Sequence, residues 1–156
     1  MKLYDLRTEY RENPIGLTEK APRFSWKIES DEKDTVQTSY EIKVTDENGK
    51  LVWDSGKKVS DQSVLISYEG EALADETFYT VEVTVADNHG NVESVEGSFE
   101  TGIFDQTEFR AQMITSDFPE DETACPVFGK TFVIDKKVKK VRLYATAYGV
   151  YEVAEL

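Results

Sequence analysis

Apolar and polar residues alternate with a period of two along most of this chain, and no stretch carries a sustained apolar stripe at helical spacing. The clearest run is Tyr79-x-Val81-x-Val83-x-Val85. Thr80, Glu82 and Thr84 lie between, so the pattern predicts a strand with one buried and one wet face. The same reading predicts strands over 2–10, 23–28, 38–45, 50–53, 63–68, 77–86 and 92–101. Seven short strands in that span predict an all-β fold, a β-sandwich over residues 1–103.

The intervening residues carry turn chemistry. Asn48-Gly49 supplies the two residues that tolerate positive φ, which predicts a tight two-residue hairpin. Asp87-Asn-His-Gly-Asn91 is a second dense turn signal and makes its flanking strands antiparallel neighbours. Leu73-x-x-x-Thr77-x-Tyr79 has the spacing of a tyrosine corner, in which the phenol bonds back to the main chain; with Trp26 as a candidate core aromatic, residues 1–103 resemble a fibronectin III or immunoglobulin-like β-sandwich.

After Gly102 the alternation lapses. Residues 104–125, with an acidic loop over 116–124, read as a connecting region. Residues 128–134 alternate again, Lys136-Lys137 make a turn, and a final strand runs toward Leu156 with no turn signal after it. Two or three strands do not close a sandwich, so residues 126–156 are expected to be the first strands of an incomplete second β-sandwich, cut from a longer chain. Their apolar strand edges invite self-association or pairing with the first domain.

Charge narrows the partners. With 31 acidic against 18 basic residues the chain carries a net charge of -13, a field that repels phosphate backbones and anionic lipid headgroups. Neither nucleic acid nor membrane is an expected partner. The N-terminal ten residues lack the apolar core of a signal peptide and no window has the apolar length of a membrane span, which points to a cytoplasmic location. Cys125 is the one cysteine, so an intrachain disulfide and a Cys/His metal motif are both ruled out.

Little in the sequence marks a reaction centre. Carboxylate pairs such as Asp31/Glu32 and Asp121/Glu122 arise by chance in so acidic a chain, and neighbours on a strand point to opposite faces. His89, the one histidine, sits in a turn without a triad partner at recognisable spacing. Asp87, Asn88, Asn91 and Glu93 offer oxygen ligands, but without EF-hand spacing; turn formation explains them. Trp53, Tyr68, Tyr144, Tyr148 and Tyr151 are the aromatics to consider for stacking on sugar rings, against the competing expectation that they are core. No catalytic, cofactor-binding or metal-binding residue is assigned, and no cofactor is expected.

Several motifs in order carry a family resemblance. They are Arg11-Glu-Asn-Pro-Ile-Gly16, Pro22-Arg-Phe-Ser-Trp26-Lys, Val36-Gln-Thr-x-Tyr40, Leu51-Val-Trp-Asp-Ser-Gly56-Lys, Ser60-Asp-Gln-Ser63 and Phe99-Glu-Thr-Gly102. Together they resemble the N-terminal region of bacterial α-L-rhamnosidases of glycoside hydrolase family 78. The closing run, Val138 to Glu152, resembles the opening of the next β-sandwich module in those enzymes. The resemblance implies a parent glycosidase that releases terminal α-L-rhamnose with inversion, using carboxylates on a helical barrel far downstream. This chain would then be a non-catalytic scaffold whose partners are the downstream domains of the parent enzyme. Two other readings stay open: a stand-alone fibronectin-like protein-interaction module, and a carbohydrate-binding module.

Overall fold

The computed structural model describes the chain apart from residues 106, 108, 118–124, 139, 155 and 156. It forms two units, Met1–Phe109 and Arg110–Leu156. The first contains eight strands: β1 (Lys2–Thr8), β2 (Arg23–Glu29), β3 (Gln37–Asp46), β4 (Leu51–Asp54), β5 (Lys58–Val59), β6 (Ile66–Ser67), β7 (Phe78–Asp87) and β8 (Val92–Glu100). They build two antiparallel sheets. One has the order β1-β2-β6; the other has the order β4-β3-β7-β8, with β5 added to β3 beside β4.

The faces follow the alternation. Tyr79, Val81, Val83 and Val85 of β7 point inward with Ile42 and Val44 of β3 and meet Leu3, Leu6, Phe24, Trp26 and Ile66 of the opposite sheet. Phe24 is fully buried at the centre, its ring 6.1 Å from Trp53 and 6.0 Å from Phe99. Leu3 and Leu6 have opposite parity, yet both are buried, because a bulge between Tyr4 and Arg7 puts Asp5 at φ 53° and resets the register. Asp5 is held there by Arg7 and Lys27, and these contacts lower its carboxyl pKa.

Turn chemistry departs from the expectation in an instructive way. The hairpin at 46–50 is a three-residue loop: Gly49 alone has positive φ, its N–H donates to Asp46 O at 3.0 Å, and Asp46 N–H donates to Lys50 O. Asp46 Oδ1 takes the N–H groups of Asn48 and Lys50, favouring this loop over a two-residue turn. Asp87 does the same for His89 and Asn91. The two hairpins thus share one Asp-x-x-Gly design.

The two-residue turn with both central residues at positive φ is at Glu9-Tyr10, where no glycine or asparagine marks it. Thr8 and Arg11 exchange both main-chain bonds across it, at 2.9 and 3.0 Å. Left-handed backbone in such residues is strained, and Arg23 offsets the strain. Its guanidinium grips the Glu9 carboxylate at 2.9 and 2.6 Å and lies 5.5 Å from the Tyr10 ring centre, while its main-chain N–H also donates to Glu9. Arg23 therefore holds the Glu9 carboxyl below the usual carboxylate range, burial opposing it. A depressed native pKa gives stability that is complete above the unfolded value near 4.5 and fades as pH falls through the native one. In Glu9→Gln, the unfolding free energy from a urea titration is expected to fall at neutral pH, by at most about 1 kcal/mol for this partly exposed pair. The deficit relative to the parent should shrink on acidification; a deficit constant down to strong acid would refute the linkage.

Two strand expectations in the first unit need correction. The run 63–68 contributes only Ile66–Ser67, because Leu65 adopts φ 53° and gives its N–H to Ser25 Oγ instead of a ladder. β5 lies in a stretch read as connection. In the second unit, the alternating stretches 128–134 and 138–152 are not paired into a ladder among the described residues, and Val127, Val133, Tyr148 and Val150 are exposed. Alternation sets which face a strand would bury, but the ladder itself needs a neighbour.

Candidate functional site

The motif residues converge on three places in the sandwich. The first is the exit from β8. Asn13, at φ 44°, accepts the Ser98 N–H on Oδ1 at 2.9 Å, and Pro14 O accepts the Glu100 N–H at 2.9 Å. Leu17 then forms a parallel bridge with Thr101: its N–H donates to Glu100 O, and its carbonyl accepts the Gly102 N–H. A side chain on Gly102 would come within 3.0 Å of Gly16 O, so the two backbones touch only because residue 102 is glycine.

On the other flank, Thr101 is fully buried. Its hydroxyl donates to Ala74 O at 2.6 Å and accepts the Thr77 N–H at 2.9 Å. The corner is completed by Tyr79, whose hydroxyl accepts the Ala74 N–H at 2.9 Å, as the Leu-x-x-x-Thr-x-Tyr spacing predicts. The outgoing chain is thus held from both sides through Phe104, whose N–H meets Asp75 Oδ2 at 3.2 Å. Thr101→Val keeps the shape but strands the Thr77 N–H and the Ala74 carbonyl. It is expected to cost about 2 kcal/mol, with faster amide exchange at Thr77; unchanged protection there would show that the clamp is not held by this hydroxyl.

The second place is a polar network at the edge of the core. Trp26 Nε1 donates to Gln37 Oε1 at 2.9 Å, and Gln37 Nε2 donates to the carbonyls of Ser60 and Gln62 at 3.1 and 2.8 Å. Trp26 N–H bonds Ser63 O, and the indole meets the Tyr40 ring edge-on at 5.5 Å. One buried glutamine therefore ties the indole to the 60–63 loop, which accounts for three of the motifs together.

The third is the crossing from β4 to β5. Both strands pair with β3, and where they break the Ile42 N–H would lose its partner. Ser55 Oγ accepts it at 2.8 Å, while Ser55 N–H donates to Ile42 O. Asp54 Oδ1 holds the Gly56 N–H, with Gly56 at φ 59°. The Trp-Asp-Ser-Gly run is thus a core residue, a turn carboxylate, an edge patch and a left-handed hinge.

The candidate ligands from the sequence are placed as follows. Trp53 and Tyr68 are buried against each other, ring centres 5.2 Å apart, and burial pushes the Tyr68 phenol up to about 12. Tyr148 and Tyr151 are exposed and Tyr144 is half-buried, all in the second unit. Asp87 spends its carboxylate on His89 and Asn91; burial raises its pKa, and those hydrogen bonds outweigh it. Asn88 bonds Val36 N–H and Asp34 O through its amide. His89 Nδ1 lies 3.4 Å from Glu32, and Asp31 is exposed beside it in sequence. Asp121/Glu122 lie outside the described residues. Among the described residues of the first unit, these candidate groups are not gathered into one cleft.

Family comparison decides what such a sandwich belongs to. Residues 3–105 match the family model for the Rha78A-like, N-terminal immunoglobulin domain. The chain belongs to this family. An α-L-rhamnosidase from Streptomyces avermitilis is 36% identical over 120 residues, covering 73% of this chain and 12% of that protein. One from Formosa agariphila is 30% identical over 158 residues, covering 91% of this chain and 17% of that one, so the likeness continues past the sandwich. The crystal structure of Streptomyces avermitilis α-L-rhamnosidase complexed with L-rhamnose superposes with a TM-score of 0.66 at 34% identity, over 70% of this chain and 11% of that chain. The chain thus spans less than a fifth of the length of these relatives. Members of this family carry the immunoglobulin sandwich at the N-terminus, and the exit clamp lies at the end of the matched region.

What sequence reasoning lacked was the pairing of motifs. The contact of segment 11–17 with the β8 exit was signalled only by a glycine closing each motif: Gly102, where the backbones approach closely, and Gly16, which has open space around it and serves a positive φ of 72°.

Proposed function

We propose that this chain is the N-terminal, non-catalytic part of a longer glycoside hydrolase that removes terminal α-L-rhamnose, and that residues 1–109 serve it as a rigid architectural module. The observation that carries this reading is how the motif residues are used. Asn13, Trp26, Gln37, Ser55, Thr101 and Gly102 are engaged in bonds and contacts that stiffen the sandwich and fix the direction of its outgoing chain. The small share of each relative that the chain covers supports a parent with much more sequence. On the same reading, residues 126–156 are the opening strands of a second sandwich. The exposed Val127, Val133 and Val150 await partners from the downstream domains or from a second copy.

The test is a direct assay of the 156-residue chain with p-nitrophenyl α-L-rhamnoside, beside a longer product of the same gene. The expected result is release of nitrophenol by the longer protein and none above buffer by the chain alone. Turnover by the chain alone would overturn the architectural reading, and an inactive longer protein would overturn the parent assignment.

A further inference from the structure

The outward face of the larger sheet holds a notch that the architectural role does not use. Register places Val59, Ser39, Ala86 and Val92 side by side on β5, β3, β7 and β8. Two small residues thus lie between two valines that are 87% and 61% exposed. The next outward row carries Glu41, Thr84 and Ser94. The result is an open depression of about 130 Å³ bordered by Ser39, Glu41, Lys57, Thr84, Ala86 and Val92.

Its polar groups are poised rather than consumed. Ser39 is only 4% exposed, and its hydroxyl makes no hydrogen bond among the described residues. No fully buried side-chain oxygen in the described protein lacks a partner, so this hydroxyl is reached from solvent through the notch. Glu41 uses Oε2 on Lys43, Thr84 shares a bond with Ser94, and Lys57 has no ion pair among the described residues.

We propose that this notch binds one neutral monosaccharide ring. Its volume lies well below the roughly 300–1,000 Å³ of drug-sized sites, which leaves room for a single ring rather than an oligosaccharide or a folded peptide. Ala86 and Val92 offer an aliphatic surface to the C–H groups of a sugar. Ser39, Glu41, Thr84 and Lys57 surround it with donors and acceptors for hydroxyls. An apolar side chain would leave the Ser39 hydroxyl dry and unpaired. An anionic ligand would enter the field of a strongly acidic domain: residues 1–109 hold 24 acidic and 11 basic residues. A neutral polyol meets neither objection. The inference does not rest on the parent being a glycosidase.

The test is a nitrogen-edited NMR titration of the whole 156-residue chain with L-rhamnose and, separately, D-glucose up to tens of millimolar. The expected result is saturable shifts confined to amides near 39–41, 84–86 and 92 for at least one sugar. Binding should be weakened about tenfold or more in Ala86→Leu, which fills the notch. Ser39→Ala serves as a second variant, because its hydroxyl holds nothing in the free protein. It is expected to keep the folded spectrum and weaken binding. Absence of saturable shifts with both sugars would overturn the proposal. So would shifts of equal affinity in a folded variant, or a response to isobutanol with none to sugar, which would make the notch an apolar docking point.

Discussion

Phe24→Ala is expected to lower the unfolding free energy by about 3 to 5 kcal/mol, the usual cost of emptying an aromatic site in a well-packed core. Phe24 is fully buried and is the residue through which β2 of the smaller sheet touches both Trp53 of β4 and Phe99 of β8. Its loss removes ring contacts to both strands at once, and β2 is also the strand that carries Trp26 and Arg23. The measurement is a urea unfolding curve monitored by tryptophan fluorescence. A loss below about 1 kcal/mol would mean that the two sheets collapse onto the cavity and that the core is less specific than its packing indicates.

A smaller residue is expected to be almost as sensitive. Adding one methyl at Gly70 would place it 2.5 Å from Trp53 Cβ, from the Tyr68 hydroxyl and from Val52 O, all closer than van der Waals contact permits. Only the hydroxyl has any freedom, and it is already committed to Glu71 O at 2.7 Å. Gly70→Ala should therefore cost about 3 kcal/mol, the upper part of the range for overpacked sites, as neighbouring backbone shifts to make room. The expected signature is a lowered thermal midpoint with a changed Trp53 emission. An alanine variant of parental stability would show that the 68–71 turn moves freely away from β4.

These two positions also show what could be read from the sequence. Phe24 follows from alternation alone, since Arg23-Phe-Ser-Trp-Lys-Ile has its apolar members at period two and the structure buries Phe24 and Trp26 together. The sheet faces, the antiparallel β7–β8 pair and the tyrosine corner were legible for the same reason, because each is set by residues a few positions apart. Gly70 was not legible. Its constraint comes from Trp53 and Val52 across the fold, and a glycine outside a recognised turn carries no sign of what lies beside it. The Glu9-Tyr10 turn is the converse case. Local propensity argues against it, and it exists because Arg23, fourteen residues away, supplies three hydrogen bonds and a cation over the ring.

The sites followed the same division. Asp87 read correctly as a turn residue, because Asx-turn chemistry is local, whereas the Asn88 amide reaches Asp34 and Val36 in a distant part of the chain. The notch at Ser39 and Ala86 needed the register of four strands, which no single stretch of sequence carries. The motif pairs that hold the β8 exit are likewise separated by most of the sandwich, and only their closing glycines hinted at contact.

The parallel bridge between Leu17 and Thr101 has a mechanical consequence. Tension applied to the chain beyond Phe104, directed along β8, would load the bonds of Leu17 and Pro14 side by side, in shear, and not one after another as when a hairpin is unzipped. Bonds that must break together resist far more force than bonds that break in turn. Motion of whatever follows would therefore reach the sandwich as displacement of a whole body, with the strand ends staying seated.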